Sequence, residues 1–247
     1  MTTKEVEQGG SGARAAPGGR ERQQVRVRRL APRSHPYAHY IRALPRALAD
    51  LAGDLDVRPG GRVLDYGCAD APYRRFFAAD VEFVGADLPG NPDASLELNS
   101  DGTVPVADES FDAVLSTQVL EHVDDPALYL RECLRVLRPG GHLLLSTHGT
   151  FIYHPDPEDY WRWTCAGLKK AVTDAGFAIA RFEGVVGLGA TGLQLVEHAI
   201  CGRLRGERPR RICGVAFHAL MRVADRFEDD SARRLNACAF ALVARKP

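Results

Sequence analysis

The stretch Val63-Leu64-Asp65-Tyr66-Gly67-Cys68-Ala69-Asp70-Ala71, answered downstream by Val84-Gly85-Ala86-Asp87, decides how this chain folds. An apolar strand ends in a turn of small residues, where a missing or minimal side chain lets the backbone come close to a ligand. Gly67 and Ala69 hold the close-approach positions. An acidic residue at the tip of the next strand, about twenty residues on, can accept hydrogen bonds from both hydroxyls of a ribose, and Asp87 stands there. Ala71 occupies the third turn position, and the spacing is not the G-x-G-x-x-G of dinucleotide enzymes. These residues alone therefore say nucleotide, and leave a plain tight turn of an α/β protein open.

Working outward, strand and helix patterns alternate. Helical spacing over His35 to Leu55 precedes an Arg58-Pro59-Gly60-Gly61 turn into a strand at Arg62 to Tyr66. A helix is expected over Tyr73 to Ala79, then strands at Glu82 to Ala86 and at Leu96 to Leu98. Phe111 to Ser116 is a mostly apolar run suited to a central parallel strand covered on both faces. Pro126 to Leu137 has helical periodicity, and Pro139-Gly140-Gly141 is expected to stop it and turn the chain into a strand at His142 to Ser146. A helix at Leu168 to Ala175, a strand at Phe177 to Phe182, a helical stretch over 187–232 and a closing strand at Asn236 to Ala244 complete the pattern. Alternation of this kind predicts an α/β fold with a parallel sheet and right-handed crossovers.

The chain has 247 residues, 45% hydrophobic and 26% charged, which suits one globular domain with appendages. Lys+Arg and Asp+Glu are both 32, so overall charge gives no reason to expect nucleic acid as a partner. Residues 1–36 are rich in Gly, Arg and Gln without apolar periodicity, and read as a disordered basic arm. Six scattered cysteines lack the paired spacings that hold zinc, and no signal-peptide pattern is present, so they read as reduced thiols of a cytoplasmic protein. No metal ligands are assigned from the sequence. Glu197 and His198 interrupt the longest apolar run, so no membrane span is expected.

The order of motifs resembles the class I S-adenosylmethionine-dependent methyltransferases, whose hallmarks V-L-D-x-G-C, F-D-x-V, L-E-H-V and L-R-P-G-G stand here at Val63 to Cys68, Phe111 to Val114, Leu120 to Val123 and Leu137 to Gly141. Any one is common by chance; all four in order over residues 58–182 are specific. The resemblance implies a three-layer Rossmann-like, seven-stranded mixed sheet with the last strand antiparallel, a domain spanning 37–247 with a helical insertion at 187–232, and S-adenosylmethionine as cofactor. It places the loop Gly67 to Ala71 under the methionine moiety, Asp87 on the ribose, and Leu88 against the adenine. Ser100 or Asp101 would meet the adenine amino group, and Thr117 and Gln118 would border the methionine end. Asp65 would position the first loop through its backbone amides. Ala69 and Ala71 stand where the family usually has glycine, which restricts positive φ and alters the loop.

Tyr153-His154-Pro155-Asp156-Pro157-Glu158-Asp159-Tyr160-Trp161-Arg162-Trp163-Thr164 is the densest cluster of reactive and aromatic groups. It resembles an H-P-x-x-D-Y-W-R-x-T element of methyltransferases from polysaccharide and natural-product gene clusters. Methyl transfer from a sulfonium is an in-line displacement that needs an aligned nucleophile and an acceptor for its proton. His148 and His154 are the candidate bases, with Asp156 or Asp159 orienting them; Glu121 and His122 read as structural. The plain alternative has Tyr160, Trp161 and Trp163 as core residues and Arg162 paired to a carboxylate. In the insertion, Val215, Ala219, Leu220, Val223, Ala224 and Phe227 form an apolar stripe that reads as core-facing, with a basic amphipathic helix on a membrane surface as the sharper alternative. The expected function is methyl transfer to a hydroxyl or amine of a small molecule or sugar. A lipid-linked acceptor, a non-catalytic cofactor-binding protein and a nicotinamide dehydrogenase are the competing classes, the last disfavoured by the glycine spacing.

Overall fold

The computed structural model describes residue 35 and residues 37–247; the expected basic arm lies, apart from His35, outside the described residues. Seven strands form one sheet: β1 (Arg62–Tyr66), β2 (Glu82–Asp87), β3 (Leu96–Glu97), β4 (Phe111–Thr117), β5 (Leu137–His148), β6 (Ala178–Gly187) and β7 (Ala237–Arg245). Their order is β3-β2-β1-β4-β5-β7-β6. The ladders of β1 with β2 and β4, β2 with β3 and β4 with β5 are parallel, and β7 runs antiparallel between β5 and β6. This is the mixed sheet expected, with the last strand reversed.

Helices cover both faces: α1 (Ala38–Ala52), α2 (Pro126–Val136), α3 (Cys165–Asp174), α4 (Leu188–Cys201), α5 (Glu207–Phe227) and α6 (Asp230–Leu235). Strand alternation sends successive side chains to opposite layers. In β5, Leu143 and Leu145 join Leu130, Cys133 and Val136 of α2 and Leu168 and Val172 of α3. Leu144 faces the other way, into a core with Leu44, Leu48 and Leu51 of α1, Ala190 of α4 and Met221 of α5. Side-chain caps fix where two helices begin: Asp125 accepts from the amides of Ala127 (2.9 Å) and Leu128 (3.0 Å) ahead of Pro126, and Thr164 accepts from Gly167 (3.0 Å).

Four local expectations are corrected. The helix expected over Tyr73 to Ala79 is one 3-10 turn, Arg74–Phe76; Arg74 donates to the carbonyls of Phe77, Ala78, Ala79 and Val81, so side-chain bonds replace a helical ladder. Pro139-Gly140-Gly141 is not a separate turn but an irregularity inside β5, where the β4 register shifts between Phe111 and Ala113. Strand β6 runs on to Gly187 because β7 pairs with it as far as Gly187 and Ala237. The apolar stripe of the insertion is not core-facing: α5 buries Gly214, His218 and Met221, while Val215, Ala219, Leu220, Val223 and Phe227 are exposed.

Candidate active site

The carboxyl ends of β1, β2, β4 and β5 meet at one edge of the sheet, where ligands bind in open α/β folds. At the β1 and β2 ends the backbone is unusual. Gly67, Ala69 and Ala71 have φ of 85°, 47° and 49°, in the left-handed region. Ala69 and Ala71 thus stand in the left-handed region that glycine favours, and carry strain of about 1 kcal/mol or more each. Gly67 also has no room for a side chain, since a Cβ there would lie 2.4 Å from Val119 Cγ2.

Asp87 ties this loop to the tip of β2. Its Oδ2 accepts from the Ala69 amide (2.8 Å) and from Asn91 Nδ2 (2.8 Å), and its Oδ1 accepts from the Leu88 amide (2.7 Å). Asn91 donates also to the Ala69 carbonyl (2.8 Å), so it locks carboxylate and loop together. A carboxylate has about four acceptor sites, which leaves Oδ1 able to take a further donor. Leu88, beside it, is 41% exposed, an apolar surface at the sheet edge. Asp101 is spent locally, accepting from the amide (3.0 Å) and hydroxyl (2.7 Å) of Thr103, with its pKa lowered by the hydroxyl bond first; Ser100 lies in the same exposed turn.

Asp65 departs from its expected role. It is buried, and among the described residues neither carboxyl oxygen has a hydrogen-bond partner. It does not hold the loop amides. Burial first, then the charges of Asp87 and Asp70, push its pKa up to about 8. A buried acceptor pair without donors, next to a backbone-lined loop, fits the ammonium end of an amino acid. With Asp87 for a diol and Leu88 for an adenine face, the residues present suit S-adenosylmethionine.

At the β4 and β5 ends the chemistry is carried by side chains. Thr117 ends β4, and Gln118 follows at φ 57°, which turns its amide inward. One end of that amide lies 2.6 Å from Tyr40 Oη on α1, 2.9 Å from His148 Nε2 and 3.2 Å from Glu121 Oε1; the other lies 3.0 Å from Ser146 Oγ. As a nitrogen, the first atom donates into two acceptors. As an oxygen, it adds a lone pair to a ring of lone pairs.

His148 closes β5, buried, its ring stacked on Phe151 at 3.9 Å and its Nε2 3.5 Å from Oε1 of the fully buried Glu121. Thr147 Oγ1 donates to Glu121 Oε2 (2.9 Å). His154 meets His148 edge-on at 4.7 Å between ring centres. Its Nδ1 lies 3.2 Å from Asp159 Oδ2, and its backbone amide donates to the same oxygen (2.8 Å). Arg162 clamps Asp159 with two bonds of 2.6 Å and donates to the carbonyls of Phe151 and Ile152. Burial alone would raise the Asp159 pKa, but the bonds from Arg162 and the His154 amide outweigh it and hold the carboxylate ionised.

Of the candidate bases, His148 and His154 are therefore brought together. Of the two candidate orienting carboxylates, Asp159 is the one whose oxygen lies 3.2 Å from His154 Nδ1. Arg162 pairs with a carboxylate as the plain reading expected, but Tyr160 (50% exposed) and Trp161 (39%) are not core. Trp161 instead donates Nε1 to the Val123 carbonyl (2.8 Å), and the amides of Tyr160 and Trp161 both donate to the Glu121 carbonyl, pinning the loop to the β4 side. Sequence reasoning missed Tyr40, Asn91 and the part of Glu121 in the cluster. Asn91 follows a glycine at a strand tip, a usable signal; the other two depend on contacts across the sheet edge.

A family model described as a methyltransferase domain matches residues 37–179. A probable S-adenosylmethionine-dependent methyltransferase of Mycolicibacterium smegmatis is 31% identical over 143 residues, 51% of this chain and 55% of that protein. The 27-O-demethylrifamycin SV methyltransferase of Amycolatopsis mediterranei is 33% identical over 132 residues, 47% of each. The chain thus spans about half the length of the curated relatives it matches. Among solved structures, the [4+2]-cyclase SpnF is similar with a TM-score of 0.54 at 23% identity, covering 83% of this chain and 82% of that one, a likeness of fold. On the match over residues 37–179 and the ordered motifs within it, the chain belongs to the S-adenosylmethionine-dependent methyltransferase family.

Proposed function

We propose that this chain transfers a methyl group from S-adenosylmethionine to a hydroxyl or amine of a small molecule or sugar, such as a natural-product or polysaccharide intermediate. The observation that carries the reading is the imidazole of His154 held by Asp159 and packed on His148, at the same sheet edge as the cofactor-fitting loop. The relative named a rifamycin methyltransferase is compatible with a natural-product acceptor. The fold likeness to a cyclase is a reminder that the site, not the fold, sets the reaction.

The cofactor supplies an electrophilic methyl group with a neutral thioether as leaving group. Asp65 would hold its ammonium, Asp87 its ribose hydroxyls, and Leu88 its adenine face, with Thr117 and Gln118 bordering the methionine end. An Nδ1–H donated to Asp159 makes Nε2 the acceptor nitrogen of the His154 ring. That nitrogen would take the acceptor's proton as the methyl group is transferred; such a base contributes typically 10²- to 10⁴-fold. Incubation with methyl-labelled S-adenosylmethionine and a panel of hydroxylated and amine acceptors tests this. Tight binding of S-adenosylhomocysteine with no labelled product on any acceptor or cell extract would leave a non-catalytic binding protein.

A second reading concerns where the acceptor lies. Helix α5 exposes Ile212 (71%), Val223 (54%) and Phe227 (83%) beside the exposed Arg208, Arg211, Arg222 and Arg226. An apolar face rimmed by arginine suits the interface of an anionic membrane, and so a lipid-linked acceptor. Among the described residues no helix is long and apolar enough to cross a membrane, and the contact proposed for this helix is a peripheral one. Cosedimentation with anionic vesicles, lost in Phe227→Asp, is the expected result; equal retention by neutral vesicles, or none by either, removes this reading.

A further inference from the structure

We infer that Glu121, His148, His154 and Gln118 form a binding site for a divalent first-row transition metal ion. The inference rests on the proposed reading only for its place beside the cofactor loop. Among the described residues, Glu121, His148 and His154 each offer one ligand atom, and these all lie within 4.8 Å of one another. Two imidazoles and a carboxylate are a donor set suited to zinc, iron or manganese.

The distances around Gln118 add an independent argument. His148 Nε2 is 3.5 Å from Glu121 Oε1, and the near end of the Gln118 amide is 2.9 Å and 3.2 Å from them. Ligand bonds of about 2.0–2.2 Å at tetrahedral or octahedral angles separate neighbouring ligand atoms by roughly 2.8–3.6 Å. These three atoms are therefore already spaced as ligands, with the amide oxygen completing the set. In the position that lets Tyr40 Oη donate to it at 2.6 Å, this oxygen faces a carboxylate oxygen and an imidazole nitrogen. Turned over, the same amide donates to both, so a bound ion and the turned amide are alternative ways of holding these groups together.

The surroundings are those of a supported site. Thr147 holds the other oxygen of Glu121 at 2.9 Å. Asp159 lies 3.2 Å from His154 Nδ1, which directs Nε2 toward a ligand role, the usual carboxylate–histidine–metal arrangement. Three ligands sit on or just after β4 and β5, and His154 comes from the loop pinned by Trp161 and Arg162, which holds its ligand atom within 4.8 Å of those of Glu121 and His148. With the ion bound, His154 Nε2 would be a ligand, so the general-base role proposed above belongs to the metal-free site; the ion would instead lower the pKa of an acceptor hydroxyl.

The test uses the full chain, stripped with a chelator and equilibrated separately with Zn2+, Mn2+ and Co2+. Metal content after gel filtration and titration calorimetry with each ion are read alongside S-adenosylhomocysteine binding in the same samples. One equivalent of at least one ion, weakened at least 100-fold in both His148→Ala and His154→Ala and about 10- to 100-fold in Asp159→Asn, is the expected result. His154 is on the surface loop, so its variant reports even if His148→Ala unfolds. Gln118→Leu should weaken binding as well. Stoichiometric S-adenosylhomocysteine binding with no bound ion overturns the metal site while leaving the proposed reaction standing. Bound ion that survives both histidine variants places it elsewhere, on the cysteines, and overturns it equally. Loss of S-adenosylhomocysteine binding with metal retained counts against the proposed reaction alone.

Discussion

The two halves of the sheet edge are built in different ways. At the ends of β1 and β2 the site is made of backbone: a glycine and two alanines at positive φ, and amides of Ala69 and Leu88 gathered by Asp87. At the ends of β4 and β5 it is made of side chains buried against one another, Gln118, Glu121, His148 and His154, with Asp159 and Arg162 behind them. A backbone cradle binds the same cofactor whatever the acceptor. A side-chain cluster can be retuned without disturbing it, which is the physical sense of keeping cofactor and chemistry on separate strands.

The strongest test of that division is His154→Ala. It should lower kcat by about 10²- to 10⁴-fold with S-adenosylhomocysteine affinity unchanged by calorimetry; a matching loss of cofactor affinity would mean the halves are not separate. In the other half, Asp87→Ala should weaken S-adenosylhomocysteine by roughly 10²-fold or more, since hydrogen bonds to a charged group contribute about 1.5–3 kcal/mol each. An unchanged binding curve removes the ribose assignment.

Asp65 gives a pH signature peculiar to the cofactor half. Its folded pKa of about 8 lies above the ordinary 3.8. The unfolded chain releases this proton above about pH 4 while the folded chain keeps it, so stability is highest at low pH and is lost as pH rises toward 8. The linkage is on the order of 4 kcal/mol by pH 7. Urea unfolding of wild type and Asp65→Asn between pH 5 and 8 should show a downward slope only in the wild type; parallel curves would refute the burial argument. An ammonium placed beside Asp65 favours its ionised form, so S-adenosylhomocysteine should bind more tightly as pH rises over the same range, with proton release detectable in buffers of different ionisation heat.

The smallest effect sharpens the comparison most finely. Ala69→Gly and Ala71→Gly should each stabilise the chain by about 1 kcal/mol by relieving positive φ, less the entropy that glycine adds to the unfolded state. Neither change should alter the histidine cluster. A loss of stability in both would show that the methyl groups make packing contacts worth more than the strain they impose.

Legibility followed the same division. Strands β1, β2, β4 and β7 were readable within a residue or two, because each is a short apolar run bounded by turn residues. The 3-10 turn at Arg74–Phe76 was not, since it depends on one arginine reaching four carbonyls. The exposure of Val215 and Phe227 was hidden because periodicity gives a face but not which face packs; here His218 and Met221 turn inward. In the site, Gly67, Asp87 and Leu88 could be named from one local motif. Glu121 was read as structural, as it lies 27 residues from His148 in a chain with no local signal joining them.

By itself the sequence determined the alternating α/β order and the family, because these rest on patterns confined to a few consecutive residues, where hydrophobic period and backbone freedom act directly. Only the tertiary structure decided that Asp65 is a buried acid with no hydrogen-bond partner among the described residues, that Asp159 lies beside His154 Nδ1, and that two histidines, a glutamate and an amide converge. Those outcomes come from the parallel register of β4 on β5 and from one loop folded back over their ends, and burial and proximity across a sheet are set by packing, not by position along the chain.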